Sequence, residues 1–106
     1  MTQKINNLLI IADIEGSSGC WSYAASSFMT GQWCNACVDM TRDVDAVTCA
    51  LFDAGVKKIT VKDFHRTGYN LLPEMIDRRA KIVSGYQQKP VAGIGDPAGL
   101  GVEHNL

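Results

Sequence analysis

A chain of 106 residues supports one small hydrophobic core and leaves no room for a second large one. Its 46% hydrophobic and 20% charged residues are the proportions of an ordinary globular domain. The formal net charge of -1 excludes the basic face that a nucleic-acid or anionic-membrane binder needs. Its longest apolar run is far too short to cross a bilayer. Met1 to Asn7 lacks the pattern of an export signal, so a cytoplasmic location is expected. The four cysteines, Cys20, Cys34, Cys37 and Cys49, are then expected as reduced thiols rather than a disulfide framework.

The first predicted element is a buried strand over residues 7–13, where Leu8-Leu9-Ile10-Ile11-Ala12 is continuously apolar. Residues 16–32, rich in Gly and Ser, read as a long irregular segment. A helix follows from about Trp33, or at latest Thr41, to Ala54. Val38, Met40, Val44, Val47, Leu51 and Ala54 mark its apolar face, and Gly55 is its stop. Val56 to Val61 is a second strand, favoured by its β-branched residues. Strand, helix and strand make a βαβ unit with a right-handed crossover. Pro73 opens a short helix to about Arg79, and Lys81 to Gly85 is a third strand. The tail from about residue 90 has no clear periodicity and is left without an element.

The chemistry concentrates at the strand ends. Asp13-Ile14-Glu15-Gly16 places two carboxylates at positions i and i+2, on one side of an extended chain. Like charges so close repel unless a cation or strong donors lie between them. The second strand runs into Asp63-Phe64-His65, again with i, i+2 spacing. If the two strands are parallel neighbours, Asp13, Glu15 and His65 share the crevice beyond their C-terminal ends, where open α/β sheets bind ligands. Two carboxylates and an imidazole suit Zn²⁺, and also Mn²⁺ or Fe²⁺. Asp63 and Gly16 would support the loops or the ligands from behind. The plainer alternative is that Asp13 and Asp63 cap loops and His65 is a polar surface residue.

Five ordered segments carry a family resemblance. They are Asp13-x-Glu15-Gly16, Met40 to Val47 followed by Ala50 to Gly55, Val61 to His65, Asn70 to Glu74, and Ile82 to Gly85. Together they resemble the DppA-type zinc D-aminopeptidases over roughly residues 8–97. The resemblance implies an α/β fold, a three-layer Rossmann-like βαβ arrangement with a mostly parallel sheet, corresponding to the N-terminal part of the family fold. It also implies a two-zinc aminopeptidase that acts on small peptides with an N-terminal D-residue and assembles into ring-shaped homo-oligomers, with no nucleic-acid or membrane partner. By motif, Asp13 resembles the ligand bridging both ions, Glu15 a ligand of one and His65 a ligand of the other. Family members continue well beyond this length, and their later part supplies a further histidine ligand, a glutamate ligand and the catalytic histidine. Neither Glu103 nor His104 matches these. The 106 residues therefore read as a single, incomplete metallo-aminopeptidase domain, expected to hold one ion or to fill the site incompletely, with weak or no peptidase activity alone.

Two other readings compete. The first is a non-catalytic assembly or binding module that keeps the fold. The second is a thiol-redox protein built on Trp33-Cys34-Asn35-Ala36-Cys37, which resembles the thioredoxin motif but does not follow an apolar strand directly. Gly16 and Gly19 resemble a phosphate loop only faintly. Lys57-Lys58 reads as a solvated turn. Trp21, Tyr23 and Phe28 are expected in a substrate cleft or, preferably, an oligomer contact.

Overall fold

The computed structural model describes residues 5–85 and the backbone of residues 102–105. Strand β1 (Asn7–Ala12) pairs in parallel with β2 (Lys58–Asp63), which pairs in parallel with β3 (Lys81–Ser84). The sheet order is β1-β2-β3-β4, with β4 (Val102–Asn105) antiparallel at the edge. The α/β class with a mostly parallel sheet is therefore the one expected. The tail strand is a correction, since no element was read there. Its partner is β3, with Ile82 opposite His104, a long-range pairing that local periodicity does not announce.

Among the described residues, one long helix covers the sheet. The short helix α1 (Tyr23–Ser26) precedes helix α2 (Gly31–Asp53). Helix α2 starts earlier than expected because Thr30 caps it. The Thr30 hydroxyl accepts from the Trp33 amide at 3.0 Å and also contacts the Ala24 and Ser27 carbonyls, locking α1 to α2. Its C-terminus is a Schellman turn. Gly55 is left-handed (φ 105°), its amide donates to Phe52 and the Val56 amide donates to Leu51. That turn consumes Val56, so β2 begins at Lys58 rather than at Val56.

The buried face of α2 is rotated from the one expected. Ala36, Cys37, Met40, Thr41, Val44, Thr48 and Phe52 face inward, whereas Val47 is half exposed. Small and hydroxylated residues take part in this stripe, and one of them, Thr41, serves the neighbouring loop. The Thr41 hydroxyl donates to the Cys37 carbonyl at 2.6 Å and accepts from the Leu72 amide at 3.1 Å. Leu8, Ile10, Ile59, Val61 and Ile82 supply the sheet side of the core.

Beyond β2, the expected helix from Pro73 to Arg79 shortens to one 3-10 turn, Pro73–Met75. Side chains claim the amides that would have continued it. The Asp45 carboxylate accepts from the Asp77 amide at 2.8 Å, and Asp77 accepts from the Arg79 amide at 2.9 Å. Asp77 also pairs with the Arg79 guanidinium, which lies 4.4 Å over the Phe52 ring. No described helix is long and apolar enough to cross a membrane.

Candidate functional site

Parallel pairing brings the strand ends together. Ala12 lies opposite Asp63, and the Phe64 amide donates to the Ala12 carbonyl at 2.8 Å. Asp13 and His65 therefore leave the sheet side by side. After Asp13, Ile14 is fully buried and anchors the chain, which leaves Asp13 and Glu15 exposed on the other side. A tight turn then sets Glu15 in place. The Ser17 amide donates to the Ile14 carbonyl at 3.1 Å, and left-handed Gly16 (φ 84°) occupies the third position, as in a type II turn. A Cβ at Gly16 would meet nothing, so its need for glycine is purely conformational.

The ligand-type atoms of Asp13, Glu15 and His65 lie within 4.8 Å of one another. His65 Nδ1 is 3.0 Å from Asp13 Oδ1 and 2.9 Å from Glu15 Oε1. The imidazole is almost completely buried, whereas both carboxylate side chains are more than half exposed. Partial burial pushes the Asp13 carboxyl up, but hydrogen bonding to Glu15 and the His65 ring prevail, and the group sits below its ordinary range.

The other ring nitrogen decides what this cluster can do. His65 Nε2 lies 2.8 Å from the Ser26 carbonyl at the end of α1. A carbonyl oxygen only accepts, so Nε2 carries the proton. In the neutral ring Nδ1 then has a lone pair directed at two carboxylates. Three electron-rich groups on one point demand a proton or a metal cation, and a carbonyl fixing the tautomer from behind is the usual support of a metal-bound histidine. Two donors on a tetrahedral zinc ion, each at about 2.1 Å, lie about 3.4 Å apart. The observed spacings are slightly tighter, so small rotations of the two exposed carboxylates make room. The donor set fits zinc.

Asp63 stands behind this cluster. It is fully buried and accepts from the Asn70 and Leu71 amides at 2.6 and 2.7 Å, from the Asn70 side chain at 2.9 Å and from the His65 amide at 3.4 Å. Its role in this structure is to pin the loop that carries His65. Asn70, to which sequence reasoning attached no role, is the second pin. Its Nδ2 also donates to the His65 carbonyl at 2.6 Å, and its Oδ1 accepts from Trp33 Nε1 at 2.7 Å. The Ser26 carbonyl was equally missed. Backbone acceptors carry no residue-type signal, whereas Asn70 opens the Asn70 to Glu74 segment, and an asparagine in a loop is a signal of side-chain bonding to backbone.

The same loop rests on the end of β3 through two glycines. The Gly85 amide donates to the Gly68 carbonyl at 2.8 Å, and a Cβ at Gly68 would fall 2.6 Å from the Gly85 backbone. Gly68 is also left-handed, at φ 77°. We expect Gly68→Ala to destabilise the fold by about 2–4 kcal/mol, read as a lowered urea midpoint. A loss under about 0.5 kcal/mol would show that the loop is not packed this way.

The Cys34-x-x-Cys37 pair lies within the first two turns of α2 rather than at its cap. Cys34 is exposed and Cys37 buried. Burial, reinforced by Asp63, Cys34 and Cys20, pushes the Cys37 thiol up to about 12, so it stays protonated at neutral pH.

Comparison with known proteins bears on this geometry. A family model described as D-aminopeptidase matches residues 7–95. No curated protein sequence gives a significant match. Among solved structures, the fold is similar to the "Zn-dependent D-aminopeptidase DppA from Bacillus subtilis, a self-compartmentalizing protease". The two share 25% identity with a TM-score of 0.71 over 78% of this chain. The match covers 30% of that solved chain.

Proposed function

Because this chain belongs to the D-aminopeptidase family, we propose that Asp13, Glu15 and His65 are zinc ligands and form the opening part of a metallo-aminopeptidase site. The observation that supports this most is the buried imidazole, which directs Nδ1 at two carboxylates while a carbonyl holds Nε2. Bound zinc would polarise a scissile carbonyl and generate hydroxide near neutral pH. The chain's own residues do the rest. Asp13 and Glu15 neutralise the cation and attract the positively charged N-terminus of a peptide. His65, immobilised by Ser26 and the Asp63–Asn70 loop, keeps one donor in fixed position. The substrates we infer are small peptides or amides with an N-terminal D-residue, the chemistry named for the family and for the similar solved enzyme.

A second zinc ion needs donors beyond these three, so the 106-residue chain is expected to bind about one ion. Assembly into a homo-oligomer is supported by the self-compartmentalising neighbour and by Trp21 and Tyr23, which are 88% and 82% exposed.

The test is a zinc titration joined to hydrolysis of D-alaninamide and L-alaninamide. The expected result is near-stoichiometric zinc, with slow turnover confined to the D-amide. Absence of zinc binding, or equal turnover of both amides, would overturn the reading.

A further inference from the structure

Arg66 immediately follows His65 and is strained. Its φ is 48°, in the left-handed region, which costs a residue with a side chain roughly 1–2 kcal/mol. Strain of this kind collects at binding sites. Its guanidinium makes no hydrogen bond or ion pair within the described residues, although Glu15 lines the same cavity. Arg66 also lines two adjoining cavities. One, of about 310 Å³, contains Glu15, Trp21 and Tyr23. The other, of about 980 Å³, is bounded by Phe28, Thr67 and Tyr69. Among the described residues, Arg66 is the only cationic one lining either cavity.

We propose that Arg66 is an anion-recognising subsite that takes the C-terminal carboxylate of a short peptide whose N-terminus lies at Asp13 and Glu15. The inference rests on the metal-site reading given above. Its basis is charge placed in order along one opening. Two carboxylates converge on Nδ1 of His65, and the guanidinium of the next residue, without a partner among the described residues, shares a cavity with one of them. Adjacent α-carbons are about 3.8 Å apart, and an extended peptide spans about 3.3–3.6 Å per residue. A cation that shares a cavity with the ligand-type Glu15 can therefore meet a group one or two residues along the substrate. Only di- and tripeptides carry their terminal carboxylate there. A guanidinium suits it, because its fork of N–H donors matches a carboxylate in bidentate fashion. The apolar walls from Phe28 and Tyr69 would cover small side chains beside it.

The experiment is an NMR titration of the zinc-loaded 106-residue chain with D-alanyl-glycine and with D-alanyl-glycinamide, repeated on Arg66→Gln. The wild-type chain is expected to bind the free carboxylate about tenfold more tightly than the amide, the size of one charge-assisted contact. Arg66→Gln should bring the two ligands to equal affinity with zinc affinity unchanged. Equal affinities in the wild type, or a preference that survives Arg66→Gln, would overturn the subsite and leave the metal reading standing. If no zinc binds, the metal reading fails on that measurement alone. The same pair of ligands on the metal-free protein then decides Arg66 separately: an Arg66-dependent preference supports the anion subsite, and no preference overturns it.

Discussion

Asp13→Asn is expected to lower zinc affinity by at least about 100-fold, beyond the 10–100-fold typical for an outer-shell partner. The fold should remain largely intact, because the Asp13 side chain is more than half exposed and its one buried contact, His65 Nδ1 at 3.0 Å, is shared with Glu15. Its contribution is charge and a donor oxygen, and asparagine keeps the shape while removing the charge. Glu15→Gln should act in the same direction for the same reason. His65→Ala should abolish zinc binding but adds a second effect, since it empties a buried position and leaves the Ser26 carbonyl without its 2.8 Å partner. That orphaned acceptor costs about 1–3 kcal/mol. The exposed carboxylates therefore separate metal binding from stability, and the histidine does not. Competition titration against a chromogenic chelator measures the first, and urea unfolding the second. Zinc affinity unchanged within about threefold in Asp13→Asn would mean that the cluster is not a metal centre, since a lost ligand cannot be that cheap.

The second large effect is at Asp63. Removing this carboxylate as Asp63→Ala orphans the Asn70 and Leu71 backbone amides together, and Asn70 Nδ2 keeps only the His65 carbonyl, all inside a buried loop. At about 1–3 kcal/mol for each unsatisfied group, and allowing for partial relaxation, the loss should be about 3–5 kcal/mol. That is a large share of the roughly 5–15 kcal/mol that stabilises a domain. Asp63→Asn should cost less, because one oxygen still accepts while the new NH2 group faces backbone donors. The ordering Ala, then Asn, then wild type in thermal unfolding is the diagnostic result. A cost below about 1 kcal/mol for the alanine variant would refute the anchoring role. Zinc affinity should fall along the same order, because the loop that Asp63 holds is the one that presents His65.

These outcomes bear on how such a site is built. Asp63 and Asn70 bear no metal-type atoms in the cluster, yet they determine where His65 stands. The i, i+2 spacing of Asp13 and Glu15 does the same for the carboxylates only because Ile14 between them is drawn into the core. Pairing of Ala12 with Asp63 then supplies the register that joins both halves. A one-residue slip would turn His65 away from the carboxylates.

Local physics made the strand cores, the helix stop at Gly55 and the two carboxylate-bearing strand ends legible in the amino-acid order. Apolar runs, β-branching and left-handed glycine act over a few residues, and so the sequence alone determined the α/β class and the candidate ligands Asp13, Glu15 and His65. What it left to tertiary structure were choices made by distant partners. Asp45 withdrew the Asp77 amide from the expected helix after Pro73, and β3 gave the tail its strand. The Ser26 carbonyl chose the His65 tautomer from 39 positions away. Each depends on a hydrogen bond or register between segments far apart in the chain, and such contacts exist only once the β1–β2 pairing and the cover of α2 have brought those segments together.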